Sequence, residues 1–82
     1  MQRVEGRGLA PESLFRSHWR AVLGLCLAHT PTPADAEDAA QEVMSKAIAS
    51  LQKLREPAKS RAWLLGIARH VCVDFARRRR PT

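Results

Sequence analysis

Three stretches of this chain repeat their apolar residues at spacings of three and four, the period of a helix that buries one face. In the first stretch the row is Leu14, Phe15, His18, Trp19, Val22, Leu23, Cys26 and Leu27. Pro11 suits its start, because a helix leaves its first N–H groups unpaired and proline has none to lose, and Glu12 then meets the positive end of the helix dipole. The spacing predicts a helix from Pro11 to about His29. It should stop before Thr30-Pro31-Thr32-Pro33, since the residue ahead of a proline is pushed out of helical conformation.

The second stretch has its own start signals. Thr32 is predicted as the cap, Pro33 as the first helical residue, and Asp35 as an acid reaching back toward the cap. At about 100° per residue, Ala36, Ala40, Val43, Met44, Ala47 and Leu51 fall on one arc with Ile48 at its edge. Asp38, Gln41, Glu42 and Ser45 share the opposite arc. This helix is predicted to reach about Leu54. Pro57 then breaks the pattern, so Leu54 to Ser60 reads as a short basic loop, with Ser60 able to cap the third helix.

In the third stretch Trp63, Ile67, Val71 and Phe75 make a single row, with Leu64 and Ala68 beside it. Leu65, Gly66, Arg69, His70, Val73, Asp74 and Arg77 are assigned to the other side. The helix ends in four consecutive arginines, Arg77 to Arg80, before Pro81 stops it. Residues 1–10 hold two Gly and two Arg without periodicity and read as a flexible leader, which leaves 11–80 as the folded domain. The expected fold is all-α, a small three-helix bundle.

Composition supports that picture and adds a direction. At 82 residues the chain can build one small domain. With two Trp, two Phe, no Tyr and no β-branched run, the core should be Ala, Leu, Ile and Val from helices rather than a sheet. The net charge of +6 and a pI near 10.7 favour nucleic acid or another anionic surface as partner. That charge is uneven. Residues 1–32 carry four Arg against two Glu, residues 33–52 one Lys against four acids, and residues 53–82 nine Lys or Arg against Glu56 and Asp74. An acidic middle followed by a basic end implies two binding surfaces.

Several other chemistries are weaker. Two cysteines, Cys26 and Cys72, are too few for a disulfide framework and read as reduced, core-lining thiols. Cys26 with His29 and His70 with Cys72 offer metal ligands on paper, but a spacing of two on a helix points His70 and Cys72 to different faces. Asp38 and Glu42 lie on one side of a helix without a histidine beside them, so a solvated or protein-docking face is favoured over acid–base catalysis. Trp19 and Trp63 sit in apolar rows and read as core more than as stacking platforms. No metal or cofactor is expected, and the chain is not read as an enzyme. No run approaches the roughly 20 apolar residues of a membrane span, and the start lacks a secretory pattern, so a cytoplasmic location is expected. The basic residues Lys53, Arg55, Lys59, Arg61, Arg69 and Arg77 to Arg80 suit phosphate contacts, which give affinity without sequence information.

Taken together, Ala36-Glu37-Asp38-Ala39-Ala40-Gln41-Glu42-Val43, followed about twenty residues later by Arg61-Ala62-Trp63-Leu64, Ile67-Ala68-Arg69-His70, Asp74 and the arginine run, resemble region 2 of bacterial sigma factors. The extracytoplasmic-function group is the most similar. The resemblance covers about residues 12–80. It implies a helical domain that binds the clamp helices of core RNA polymerase and opens the minus-ten promoter element. Asp38, Gln41 and Glu42 would then belong to the polymerase-docking face. The loop from Leu54 to Ser60 would capture a base flipped out of the promoter. Arg55, Lys59, Arg61, Arg69, His70, Arg77 and Arg78 would hold the non-template strand. Family members commonly carry Asn where His70 stands, and full-length members add a helix-turn-helix domain that reads the minus-thirty-five element, whereas this sequence ends at Thr82. An anti-sigma protein is the further partner implied. Two other functions compete: a sigma-like module whose main task is capture by an anti-sigma protein, and a general nucleic-acid-binding helical protein without a polymerase role.

Overall fold

A computed structural model describes residues 11–79; the leader at 1–10, Arg80 and the Pro81 stop lie outside the described residues. Three helices run Pro11–His29 (α1), Pro33–Ala49 (α2) and Ser60–Arg79 (α3), and each packs against the other two. The expected all-α three-helix bundle is the fold observed.

The local signals explain most of the boundaries. α1 starts at Pro11 and closes where the Thr30 hydroxyl donates to the Cys26 carbonyl at 2.7 Å and His29 Nδ1 donates to the Leu25 carbonyl at 2.9 Å. Those bonds satisfy carbonyls that a helix end leaves without partners. At α2 the extended Thr32 caps as expected, its hydroxyl accepting from the Asp35 N–H at 3.1 Å with Pro33 next in line.

The end of α2 differs from the prediction. The helix stops at Ala49, five residues early, and the Ser50 N–H reaches back to the Lys46 and Ala47 carbonyls at 3.0 and 3.1 Å. A 3₁₀ turn, Leu51–Lys53, follows. Leu51 and Leu54, three apart, satisfy a 3₁₀ turn as well as an α-helix, so periodicity could not separate the two. A second 3₁₀ turn, Pro57–Lys59, leads straight into α3, which makes Ser60 the first helical residue. The predicted cap is therefore replaced. The buried Ser60 hydroxyl instead shares a 3.1 Å hydrogen bond with His18 Nε2, tying the start of α3 to α1.

The core is built from small and branched side chains: Leu14, Val22 and Cys26 of α1, Ala36, Ala39, Ala40, Val43, Met44 and Ala47 of α2, and Leu64, Ala68, Val71 and Cys72 of α3. On α2 the alanines let both neighbours approach closely, and Ala39, outside the predicted arc, is fully buried because the helix is covered from two sides. On α3 the buried residues are Leu64, Ala68, Val71 and Cys72, so of the predicted row only Val71 is fully buried, Leu64 and Ala68 beside it take the centre, and Trp63, Ile67 and Phe75 are half-buried. Leu65, assigned to the outer side, is also half-buried. Phe15 and Leu27 of α1 and Ile48 of α2, expected to pack, are instead 45%, 49% and 43% exposed. Leu27 follows the buried Cys26 and is turned about 100° away from it. Among the described residues, no helix is long and apolar enough to cross a membrane.

Candidate polymerase and nucleic-acid interfaces

The acidic arc of α2 is presented as the sequence suggests. Asp38 and Gln41 are exposed, and Glu42 is partly covered. What covers Glu42 comes from the opposite end of the charge distribution. Arg78 Nη2 on α3 lies 3.5 Å from Glu42 Oε1, while Lys46 Nζ, one turn along α2, lies 4.0 Å from Oε2. Arg78 is steadied further by the Phe75 ring, 5.4 Å from its guanidinium carbon, and by a 3.4 Å bond from Nε to the Asp74 carbonyl. A small concavity of about 250 Å³ opens between Asp35, Asp38, Phe75 and Arg78, where the start of α2 meets the end of α3. The two predicted surfaces therefore share an edge, and one residue assigned to each is paired across it.

The basic side has a different build. Lys53, Arg55, Glu56 and Lys59 of the loop line a concavity of about 550 Å³ whose inner wall is Trp63. Lys59 holds Glu56 at 3.2 Å, and Arg55 is exposed. On the other side of Trp63 lies a groove of about 700 Å³ bounded by Lys46 and Ser50 from the end of α2 and by Gly66, His70 and Asp74 on α3. Trp63 is half-buried and borders both hollows, so its reading as plain core is incomplete.

The predicted nucleic-acid residues do not all converge. His70 lies in the groove, Arg55 and Lys59 in the loop hollow, and Arg69 and Arg77 are exposed along α3. Arg61, two positions before Trp63 on the same helix, is exposed and turned away from Trp63, and Arg78 is paired with Glu42. Sequence reasoning missed Lys46, Ser50 and Gly66. Gly66 carried a signal: a glycine in mid-helix weakens the helix, yet a Cβ placed there would meet nothing within 4 Å. Neither packing nor backbone geometry demands it; Gly24 on α1 is equally open, and what sets Gly66 apart is that it lines the groove.

Among the described residues, no group of three or more His, Cys, Asp or Glu gathers as a metal site would require.

The family described as Sigma-70 region 2 matches residues 14–82, most of the chain and both surfaces. The chain belongs to the sigma-70 region 2 family. Its similarity to "ECF RNA polymerase sigma factor SigC" of Mycobacterium tuberculosis is 32% identity over 87 residues, covering 99% of this chain and 44% of that protein. The "Probable RNA polymerase sigma-C factor" of Mycobacterium bovis matches to the same extent. "RNA polymerase sigma factor YlaC" of Bacillus subtilis is 31% identical over 67 residues, 82% of this chain and 39% of that protein. These relatives put the sigma-70 region 2 domain described here in the extracytoplasmic-function group. The chain spans less than half the length of each of them. No solved structure matches it significantly.

Proposed function

We propose that this domain is the part of a transcription initiation factor that docks on core RNA polymerase and recognises and opens the minus-ten promoter element. The observation that carries the proposal is the division of labour on one sigma region 2 bundle. A largely exposed acidic arc occupies one helix, and Trp63 borders both a loop hollow lined by Lys53, Arg55 and Lys59 and a groove lined by Lys46 and His70.

In this mechanism Asp38, Gln41 and Glu42 engage the clamp helices of the polymerase. Arg55 and Lys59 neutralise phosphates of the non-template strand at the loop, and Arg69 and Arg77 do so along α3. Extruding a promoter base costs a few kcal/mol of stacking, which the hollows beside Trp63 recover by enclosing the base and the cations recover through the backbone. His70 offers hydrogen bonds to a base edge in the adjoining groove. Binding is the only energy source, and no covalent step is involved.

A second role, capture by an anti-sigma protein, is favoured by one observation. Phe15 and Trp19 stack with ring centroids 4.8 Å apart beside the exposed Ile48, and Arg16 and Arg20 edge the hollow they form. An exposed apolar patch with a polar rim is what a protein partner uses.

Binding of the purified chain to core RNA polymerase, wild type beside Asp38→Arg and Gln41→Ala, tests the docking face. Tight binding by the wild type and its loss in both variants is the expected result. Absence of wild-type binding would sink the polymerase role and leave the anti-sigma role to be tested with such a partner.

A further inference from the structure

The core holds one pair of reactive groups that neither surface uses. Cys72 Sγ on α3 donates a hydrogen bond to Cys26 Sγ on α1 at 3.7 Å. Both cysteines are free and buried, the Cys26 residue completely and the Cys72 residue to all but 5%. They are 46 positions apart in sequence, so only the packing of α1 on α3 brings them together. A disulfide needs its sulfurs at about 2.05 Å, so the two must approach by roughly 1.7 Å for the bond to form.

We propose that Cys26 and Cys72 are an oxidisable pair, which a peroxide converts into an intramolecular disulfide that staples α1 to α3. Cys72, the less deeply buried of the two residues, attacks one peroxide oxygen as its thiolate. The O–O bond breaks, the leaving hydroxide takes up a proton to become water, and Cys72 becomes a sulfenic acid. Cys26 then attacks the Cys72 sulfur. The S–O bond breaks, the S–S bond forms, and the departing hydroxyl leaves as a second water carrying the Cys26 proton. Two thiols thus give two electrons and two protons to one peroxide.

Burial, followed by the hydrogen bond and charge of Cys72, pushes the Cys26 thiol up to about 12. Little of it is thiolate at neutral pH, so closure is slow. The pair is a brace that sets under sustained oxidant rather than a fast sensor. Once set, it would close a loop containing all of α2 and the basic loop, and fix α3, with Arg69, His70 and Arg77, against α1.

The test is peroxide treatment of the purified native chain, followed by intact mass, counting of free thiols in denaturant, and thermal unfolding. The expected product is a monomer about 2 Da lighter with no free thiol, and with an unfolding midpoint raised by roughly 10 °C or more. Cys72→Ala should keep its remaining thiol out of any intramolecular link and show no such rise. If that variant does not fold, the mass and thiol count of the wild type still decide. Persistence of both thiols, or products that are only intermolecular dimers or higher sulfur acids, would overturn the proposal.

Discussion

The acidic face of α2 and the basic side around Trp63 are made in different ways. The acidic face belongs to one helix, and Asp38, Gln41 and Glu42 are neighbours because residues three and four apart always are on a helix. The basic side is a composite. Lys46 and Ser50 come from the end of α2, Arg55 and Lys59 from the loop, and Trp63, Gly66 and His70 from α3. The first surface exists wherever the helix forms, whereas the second exists only when three elements are assembled. Damage to the bundle should therefore reach the second before the first.

The strongest way to exploit that difference is Leu64→Ala. Leu64 is fully buried in α3, and truncation of such a residue costs about 2–5 kcal/mol, a large part of the stability of a domain this small. A marked fall in the unfolding midpoint is expected, with DNA binding lost at temperatures where α2 is still helical by circular dichroism. Simultaneous loss of helix and binding would show that the two surfaces are not separable in this way.

Charge reversal at Asp38 acts mainly on the simple surface, although Asp38 also borders the small concavity beside Arg78. Polymerase affinity is expected to fall by roughly tenfold or more, since a like charge is placed against a complementary face, while the unfolding midpoint stays near that of the wild type. Equal loss of DNA affinity in a binding assay without polymerase would contradict the assignment. On the composite side, Arg55→Ala with Lys59→Ala should weaken single-stranded DNA binding. The slope of log affinity against log salt should become shallower by about 0.7 for each phosphate contact removed. An unchanged slope would remove the loop from the interface.

Gly66→Ala separates stability from binding. The added methyl group meets nothing, so the helix should gain up to about 1 kcal/mol, and the same methyl intrudes on the groove between Trp63 and His70. A raised unfolding midpoint with weaker DNA binding is expected; a raised midpoint with unchanged binding would leave the glycine without a role in the groove. The smallest effect concerns the shared edge. A double-mutant cycle between Glu42→Gln and Arg78→Gln should show a coupling of about 0.2–1 kcal/mol, the range for exposed ion pairs. If polymerase competes for Glu42, the coupling should vanish in the complex.

Legibility followed the same division. Pro11, Thr32 and Pro33 marked helix starts because caps and prolines act within a few residues of themselves, and the acidic face was readable for the same reason. The end of α2 was not, because Leu51 and Leu54 fit two kinds of helix equally well. Ser60 was read as a local cap, but its hydroxyl is taken by His18 from 42 residues away. Lys46 received no assignment from the sequence, and its position at the groove depends on how α2 crosses α3.

The sequence by itself determined that this protein is three helices with an acidic second and a basic third, and that one helix face offers Asp38, Gln41 and Glu42 together. Helical spacing and terminal chemistry decide such things over a few residues. The tertiary structure alone decided that Trp63 borders two hollows, that Arg78 closes on Glu42, and that Cys26 meets Cys72. Each of those depends on the rotation of one helix against another, which is set by how the alanines of α2 and the row from Leu64 to Cys72 pack rather than by any spacing along the chain.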